Sequence, residues 1–215
     1  MSKARSKADI AEIKARFLEH FKGAKTELKY KNLYELLICV MLSAQCTDKR
    51  VNLITPALFA RFPDIGSLAN AELSEVKELI KSCSFFNNKA RNIILMAQKV
   101  LSEHNGEIPL KQELLVKLPG VGQKTANVVL IEYLEQNLMA VDTHVFRVSH
   151  RLGIAYSKTP AKTQEELTKA FKSDLSVLHQ AFVLFGRYTC KALKPQCQEC
   201  FVAEFCMTKQ NFKPQ

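Results

Sequence analysis

Glycine and proline are scarce in this chain, seven of each in 215 residues. That is about 3 % apiece, against the ~7 % and ~5 % of ordinary chains. A sandwich or barrel of many short strands needs a turn every ~8–12 residues, and so little turn material disfavours one. Long helices suit the composition better. Long hydrophobic runs are missing too. The longest, Leu36–Ala44, falls far short of the ~18 apolar residues that a membrane span needs. The basic N-terminus, Met1 to Lys7, is followed by no apolar stretch of the kind a secretory signal carries. The expectation is a cytoplasmic chain with no membrane partner, in which seven cysteines would seldom be structural disulfides. Hydrophobic residues make up 47 %, enough for a sizeable core. At ~150 residues per domain the length allows one large domain or two small ones.

Charge of one sign is in excess. Lys and Arg number 31 against 21 Asp and Glu, a formal net charge of +10. The excess is uneven. Residues 1–31 carry nine basic and four acidic side chains, residues 32–186 seventeen and fifteen, and residues 187–215 five and two. Two basic ends therefore bracket a nearly neutral middle, a balance that suits a polyanionic partner such as nucleic acid. Apolar periodicity predicts helices throughout. The first runs from Ile10 to Phe21, with Gly23 as its stop. Others fit Leu33–Gln45, Val51–Phe62, Glu72–Ser82, Asn87–His104, Lys111–Lys117, Gln123–Gln136, Asp142–Leu152, Ala161–Phe171 and Ser173–Thr189. No strand pair, low-complexity tract or fixed-period repeat is evident.

Two of the seven glycines fall in one short string, Leu118-Pro119-Gly120-Val121-Gly122-Gln123-Lys124-Thr125-Ala126, between two predicted helices. Glycine lets a backbone approach a ligand closely, and a helix start offers unpaired N–H groups and positive dipole, so the string could seat a phosphate. A bare Gly-x-Gly is more often an ordinary helix–helix turn. Lys124 lies just inside the following helix. A positive helix end and a desolvated pocket would both disfavour its ammonium and free a nucleophilic amine; a solvated surface charge is the plain alternative. Asp142, in Val141-Asp142-Thr143-His144, reads as a helix N-cap, or as a carboxylate that stabilises positive charge at a sugar carbon. Cys190, Cys197, Cys200 and Cys206 put four thiols within 17 residues, which points to a metal site, either zinc or iron–sulfur. Cys39 lies in an apolar run and reads as core; Cys46 and Cys83 need no role.

The hairpin string resembles the helix–hairpin–helix motif of DNA-binding proteins. With Lys124, Val141-Asp142-Thr143-His144 and the C-x₆-C-x₂-C-x₅-C tail, the chain resembles the endonuclease III family of helix–hairpin–helix DNA glycosylases over essentially its whole length. The resemblance implies an all-α, two-lobed fold. Residues 26–136 would form a six-helix barrel carrying the hairpin, and residues 1–25 and 137–215 a discontinuous helical domain whose loop 190–206 holds a [4Fe–4S] cluster on the four cysteines. It implies a bifunctional DNA glycosylase and abasic-site lyase of base excision repair. Such an enzyme flips an oxidised pyrimidine out of the duplex, attacks C1′ with Lys124, and cleaves 3′ to the lesion by β-elimination. Asp142 would stabilise the oxocarbenium-like charge.

The same resemblance assigns phosphate contacts to the backbones of Leu118, Gly120, Val121 and Gly122, with a monovalent cation on the hairpin carbonyls. Lys191 and Lys194 would face DNA phosphates. Gln45 and Phe85 match the two positions that wedge into the hole left by the flipped base. Relatives carry glycine where this chain has Ser84, and without it the turn is less free to adopt positive φ; a buried core residue is the alternative for Phe85. Asp48 and His144 are candidates for the lesion pocket, or structural hydrogen-bonders. The implied partner is damaged double-stranded DNA, the state a monomer, and the place the cytoplasm of a prokaryote at its nucleoid. Two other readings remain open: a monofunctional mismatch glycosylase, and a non-catalytic DNA-binding iron–sulfur redox sensor. The second would need neither Lys124 nor Asp142.

Overall fold

The computed structural model describes residues 5–208. Of the basic ends, Lys3, Lys209 and Lys213 lie outside the described residues. Among those residues the structure is all helical: eleven α-helices, one 3₁₀ turn at Ala203–Phe205, and no strand. The helices are α1 Lys7–His20, α2 Leu33–Ser43, α3 Asp48–Arg61, α4 Ile65–Ala69, α5 Leu73–Ile80 and α6 Phe86–Glu103. They continue with α7 Gln112–Leu115, α8 Gln123–Leu134, α9 Thr143–Arg151, α10 Pro160–Phe171 and α11 Leu175–Tyr188.

Local chemistry sets these boundaries. Ser6, Asn32, Thr47, Asp64, Asp142 and Thr159 each turn a side-chain oxygen onto an amide of the first turn, pairing donors that the helix itself leaves open. The Thr47 cap starts α3 at Asp48, three residues before the apolar pattern predicts. Helix α4 was not expected. Its five residues are too few for a periodicity to show, and a reciprocal capping box between Asp64 and Ser67 holds it instead.

The chain divides into two compact units, Glu27–Leu134 and a discontinuous one made of 1–26 with 135–215. In the first, α2 is buried almost all round, from Tyr34 to Leu42, and packs on α3, α6 and α8, while α4 and α5 lie against α6. A helix without a polar face has to be central. It therefore fixes the start of the Gln45 loop at its own end and supports the hairpin helix α8.

In the discontinuous unit, α1 packs on α10 and α11. The Phe17 ring, fully buried, stacks on Phe182 at 4.4 Å and meets the edges of Phe185 and Phe201, each at 5.1 Å. Fully burying one such ring is worth ~1.5–3 kcal/mol, which is why the N-terminal helix docks on C-terminal elements across so much sequence. Polar ties finish the joint: Lys14 Nζ meets the Asp174 carboxylate at 2.7 Å, and Arg16 Nη1 donates to the Phe201 carbonyl at 2.8 Å. This unit holds 18 Lys+Arg against 10 Asp+Glu, a net +8, which leaves +2 for residues 27–134.

Candidate nucleic-acid interface

The hairpin is built by α7, the turn 116–122 and α8. Leu118 and Val121 are buried anchors, and the Val121 amide closes the turn on the Leu118 carbonyl at 3.1 Å. Asn127, fully buried on α8, receives the Gln112 amide from α7 and the Gln123 amide from its own helix, so one side chain ties the two helices together. The two glycines serve different ends. Gly120 has φ +75°, and a Cβ there would sit 2.8 Å from Asn92 Cβ and 3.0 Å from Met41 Cε. Gly122 has no positive φ, and nothing lies within 4 Å of where its Cβ would be. Gly120 is thus required by the fold, whereas Gly122 leaves a bare, exposed backbone at the start of α8. Lys124 follows as the second residue of that helix, with its side chain exposed. The Lys124 side chain therefore meets solvent rather than a desolvated pocket.

Both wedge candidates are exposed and left-handed. Gln45 has φ +55° and Phe85 φ +57°, and Phe85 is 63 % exposed. The buried alternative for Phe85 is therefore overturned. Ser84 in place of glycine does not prevent a positive φ, because the strained residue is Phe85 itself. A left-handed residue without glycine costs ~1–2 kcal/mol, so something must hold these loops. One holder is Lys89, a buried lysine on α6 that sequence reasoning missed. Its ammonium donates to the Leu42 carbonyl at 2.7 Å and the Ala44 carbonyl at 2.6 Å, closing the open carbonyls at the end of α2. Asp48, half-buried in the first turn of α3, lies three residues beyond Gln45.

In the other unit, Asp142 caps α9. Its Oδ1 accepts from the Val145 amide at 2.8 Å. His144, two residues on, has its Nδ1 at 3.2 Å from Arg147 Nη2, and its Cβ presses on Gly186 of α11, where a further Cβ would come within 2.8 Å. Arg147 and Arg151 extend from α9 to the cysteine loop. Arg147 donates to the carbonyls of Gly186 at 2.6 Å and Cys190 at 3.0 Å. Arg151 donates to the Lys191 carbonyl at 2.7 Å, the Ala192 carbonyl at 3.2 Å and the Cys190 sulfur at 3.3 Å. These ties present Lys191, Leu193 and Lys194 as an exposed tip, with Leu193 84 % exposed.

All four cysteines of the tail line one cavity, together with Leu152, Phe185 and Pro195. Burial pushes the Cys200 thiol up to about 11; the Val202 amide opposes this, and Cys190, Cys206 and Cys197 add to it. Four thiols so placed ionise together only when a cation completes them. No three Cys, His, Asp or Glu side chains among the described residues converge as a single metal ion would need.

Known proteins share the fold and the cysteine loop. Residues 38–173 match the family of HhH-GPD superfamily base excision DNA repair proteins, and residues 190–206 match the iron-sulfur binding domain of endonuclease III. Endonuclease III of Rickettsia conorii is 43 % identical, over 92 % of this chain and 94 % of the relative. The chain belongs to the endonuclease III family. Endonuclease III of Escherichia coli K12 is 40 % identical over 95 % of this chain and 98 % of its own. A solved endonuclease III–DNA complex, a trapped covalent intermediate, superposes with TM-score 0.92 at 38 % identity, over 96 % of this chain and 98 % of that one. A thermostable thymine-DNA glycosylase shares the fold at TM-score 0.84 and 19 % identity, covering 95 % of this chain and 98 % of that one. The all-α fold expected for the family is the one observed, and the cysteine loop is that of a [4Fe–4S] cluster. No helix among the described residues is long and apolar enough to cross a membrane.

Proposed function

We propose that the chain is a bifunctional DNA glycosylase and abasic-site lyase of base excision repair, acting on oxidised pyrimidines in duplex DNA. The observation that carries this reading is Lys124, an exposed amine on the first turn of α8, two residues after the bare, exposed Gly122 backbone. A phosphate held along the backbone of Leu118, Gly120, Val121 and Gly122 brings a DNA strand to the residue that attacks it, without reading sequence. A monovalent cation on the hairpin carbonyls would add to that grip. Lys191 and Lys194 contribute further phosphate contacts, and Gln45 and Phe85 fill the space of the extruded nucleotide. Asp48 and His144 are the candidates for contacts with the flipped base.

The chemistry follows from the roles of Lys124 and Asp142. The Lys124 Nζ lone pair bonds C1′ as the C–N glycosidic bond breaks, and the base departs with its electron pair and takes up a proton. The Asp142 carboxylate, whose Oδ1 is fixed by the Val145 amide, offsets the positive charge that develops at the sugar. Opening of the sugar ring leaves a Schiff base on Lys124. Loss of the C2′ proton then expels the 3′ phosphate, and water releases the lysine. A [4Fe–4S] cluster on Cys190, Cys197, Cys200 and Cys206 organises a loop too short to bury a core of its own. The protein works as a monomer in the prokaryotic cytoplasm, at the nucleoid where its substrate lies.

Borohydride trapping on a duplex containing thymine glycol tests this. The wild type should give a covalent complex and Lys124→Ala none. Base release without trapping would favour the monofunctional glycosylase, and neither trapping nor release would favour the non-catalytic iron–sulfur sensor.

A further inference from the structure

The Gln45 loop and the Phe85 loop meet at one side chain. Lys89 is 9 % exposed, and its ammonium has three N–H donors. Three acceptors receive them: the Leu42 carbonyl at 2.7 Å, the Ala44 carbonyl at 2.6 Å and the Cys83 sulfur at 3.2 Å. Ala44 directly precedes Gln45, and Cys83 lies two residues before Phe85. The Cys83 thiol in turn donates to the Leu42 carbonyl at 3.4 Å, so ammonium, thiol and carbonyl close a triangle across both loops. Burial raises that thiol above its ordinary value, which keeps it an S–H donor. The main chain of the same lysine holds the second wedge, because the Lys89 amide donates to the Phe85 carbonyl at 3.1 Å. Lys89 thus fixes the Gln45 loop through its side chain and Phe85 through its backbone. An ordinary C-cap would close the end of α2 alone. This one also links two segments far apart in the chain, whose tips are both exposed and left-handed.

We propose that Lys89 is a positioning residue that makes Gln45 and Phe85 enter the duplex as one unit, and so serves the turning-out of the damaged nucleotide rather than the bond changes that follow. This rests on the reading of Gln45 and Phe85 as the wedges. Turning a nucleotide out breaks its stacking and pairing, and the extruded state lasts only while the vacated space is filled. One wedge seated without the other leaves part of that space open. Two loops on separate hinges would seat independently. Two loops on one buried ammonium are set at a fixed spacing before DNA arrives, so less ordering remains to be done on binding. Lys89 itself is buried and touches no reacting group; the nucleophile is Lys124. Loss of Lys89 should therefore act on the step that needs both wedges. Release of a damaged base requires that step, whereas a duplex already missing the base has none to extrude.

The test uses cluster-loaded holoprotein and compares two substrates under single turnover. On a duplex with thymine glycol, base release is followed; on a duplex with a pre-formed abasic site, strand cleavage is followed. Both rates are divided by the active fraction, titrated by borohydride trapping on the abasic duplex. In Lys89→Met, base release should fall about tenfold or more while strand cleavage stays within about twofold, since a misplacement of about 1 Å is enough to cost ~100-fold. A merely structural role would lower the active fraction and leave both corrected rates alone, and that result overturns the proposal. An equal loss of both corrected rates overturns it too. A double-mutant cycle checks the coupling. Gln45→Ala and Phe85→Ala should each slow base release in the wild-type background, yet add less than about twofold in the Lys89→Met background. Equal penalties in the two backgrounds overturn the proposal. If neither substitution slows base release in the wild type, the wedge reading has failed, and the proposal with it. Should Lys89→Met not fold, Cys83→Ala takes its place, since it removes one acceptor and leaves both carbonyls paired with Lys89. It should show the same split between base release and strand cleavage at about threefold, and no split overturns the proposal.

Discussion

The hairpin glycines offer a paired experiment in which one atom, added at two positions two residues apart, should fail in two different ways. In Gly120→Ala the new Cβ meets Asn92 Cβ at 2.8 Å and Met41 Cε at 3.0 Å, on a backbone with φ +75°. The left-handed conformation costs an L-residue ~1–2 kcal/mol, and overpacking a filled site costs about 1–3 kcal/mol more. Met41 Cε is a flexible end that can move, but Asn92 Cβ is fixed to the α6 backbone, so the strain is only partly relieved. The expected destabilisation is about 2–5 kcal/mol. In Gly122→Ala the new methyl enters open space with no positive φ, so stability should stay within ~0.5 kcal/mol. That methyl instead stands where a phosphate must approach the backbone. The assays are thermal unfolding and binding to an abasic-site duplex across a salt series. For a chain of this size each kcal/mol moves the Tm by about 2–4 °C. Gly120→Ala should therefore melt well below wild type, while Gly122→Ala melts with it and loses affinity. If both variants lost stability alike, or if Gly122→Ala bound DNA normally, the division of labour between the two glycines would be wrong.

Asp142→Asn should leave Tm and DNA binding nearly unchanged, because asparagine caps a helix about as well as aspartate, but should lose most base excision; full activity would show that capping is its only task. Lys89→Met removes the donor to two carbonyls at the end of α2 and should cost about 2–6 kcal/mol, since each stranded acceptor costs ~1–3; a denaturant midpoint equal to wild type would refute the role of Lys89 as the loop holder. Glu166 gives a pH signature. Burial raises its carboxyl, but the Ser157 hydroxyl and the Tyr156 and Ser157 amides more than offset this and bring it below its ordinary value. Its stabilising effect should be complete above the unfolded value near ~4.3 and fade as pH falls through the lower folded value. The Tm gap between wild type and Glu166→Gln should thus be wide at neutral pH and close in acid; a gap that stays constant with pH would contradict it. Arg151→Ala, which frees the Cys190 sulfur and two loop carbonyls, should lose its cluster absorbance faster in air than wild type does.

What the sequence made legible was whatever depends on neighbours in the chain. Leu118 to Ala126 is a local turn whose conformation demands a glycine at position 120, so its string could be read directly. Asp142 is a local cap, and four cysteines within 17 residues are a local cluster. The rest depends on contacts between segments far apart. Lys89 reaches the Leu42 and Ala44 carbonyls across 47 and 45 residues, and no pattern around Lys89 marks it as buried, because on helical spacing it is one more charge near a helix start. The same holds for Cys83, unremarkable in its own segment, whose sulfur lies 3.4 Å from the Leu42 carbonyl across 41 residues. It holds for Arg151, whose partners lie some forty residues away in the cysteine loop.

Phe85 is the instructive intermediate. Its position could be matched, but the loss of glycine at Ser84 argued against a positive φ, and the chain places that strain on the phenylalanine instead. Strain of this kind persists only where surroundings over-determine it, and here α6 begins at the very next residue while Lys89, one turn on, is pinned to the end of α2. The left-handed Gln45 and the left-handed Phe85 are therefore one structural fact, not two. Both loops hang from a single buried ammonium, and a substitution at Lys89 should disturb both wedges together, while a substitution in either loop should disturb only its own.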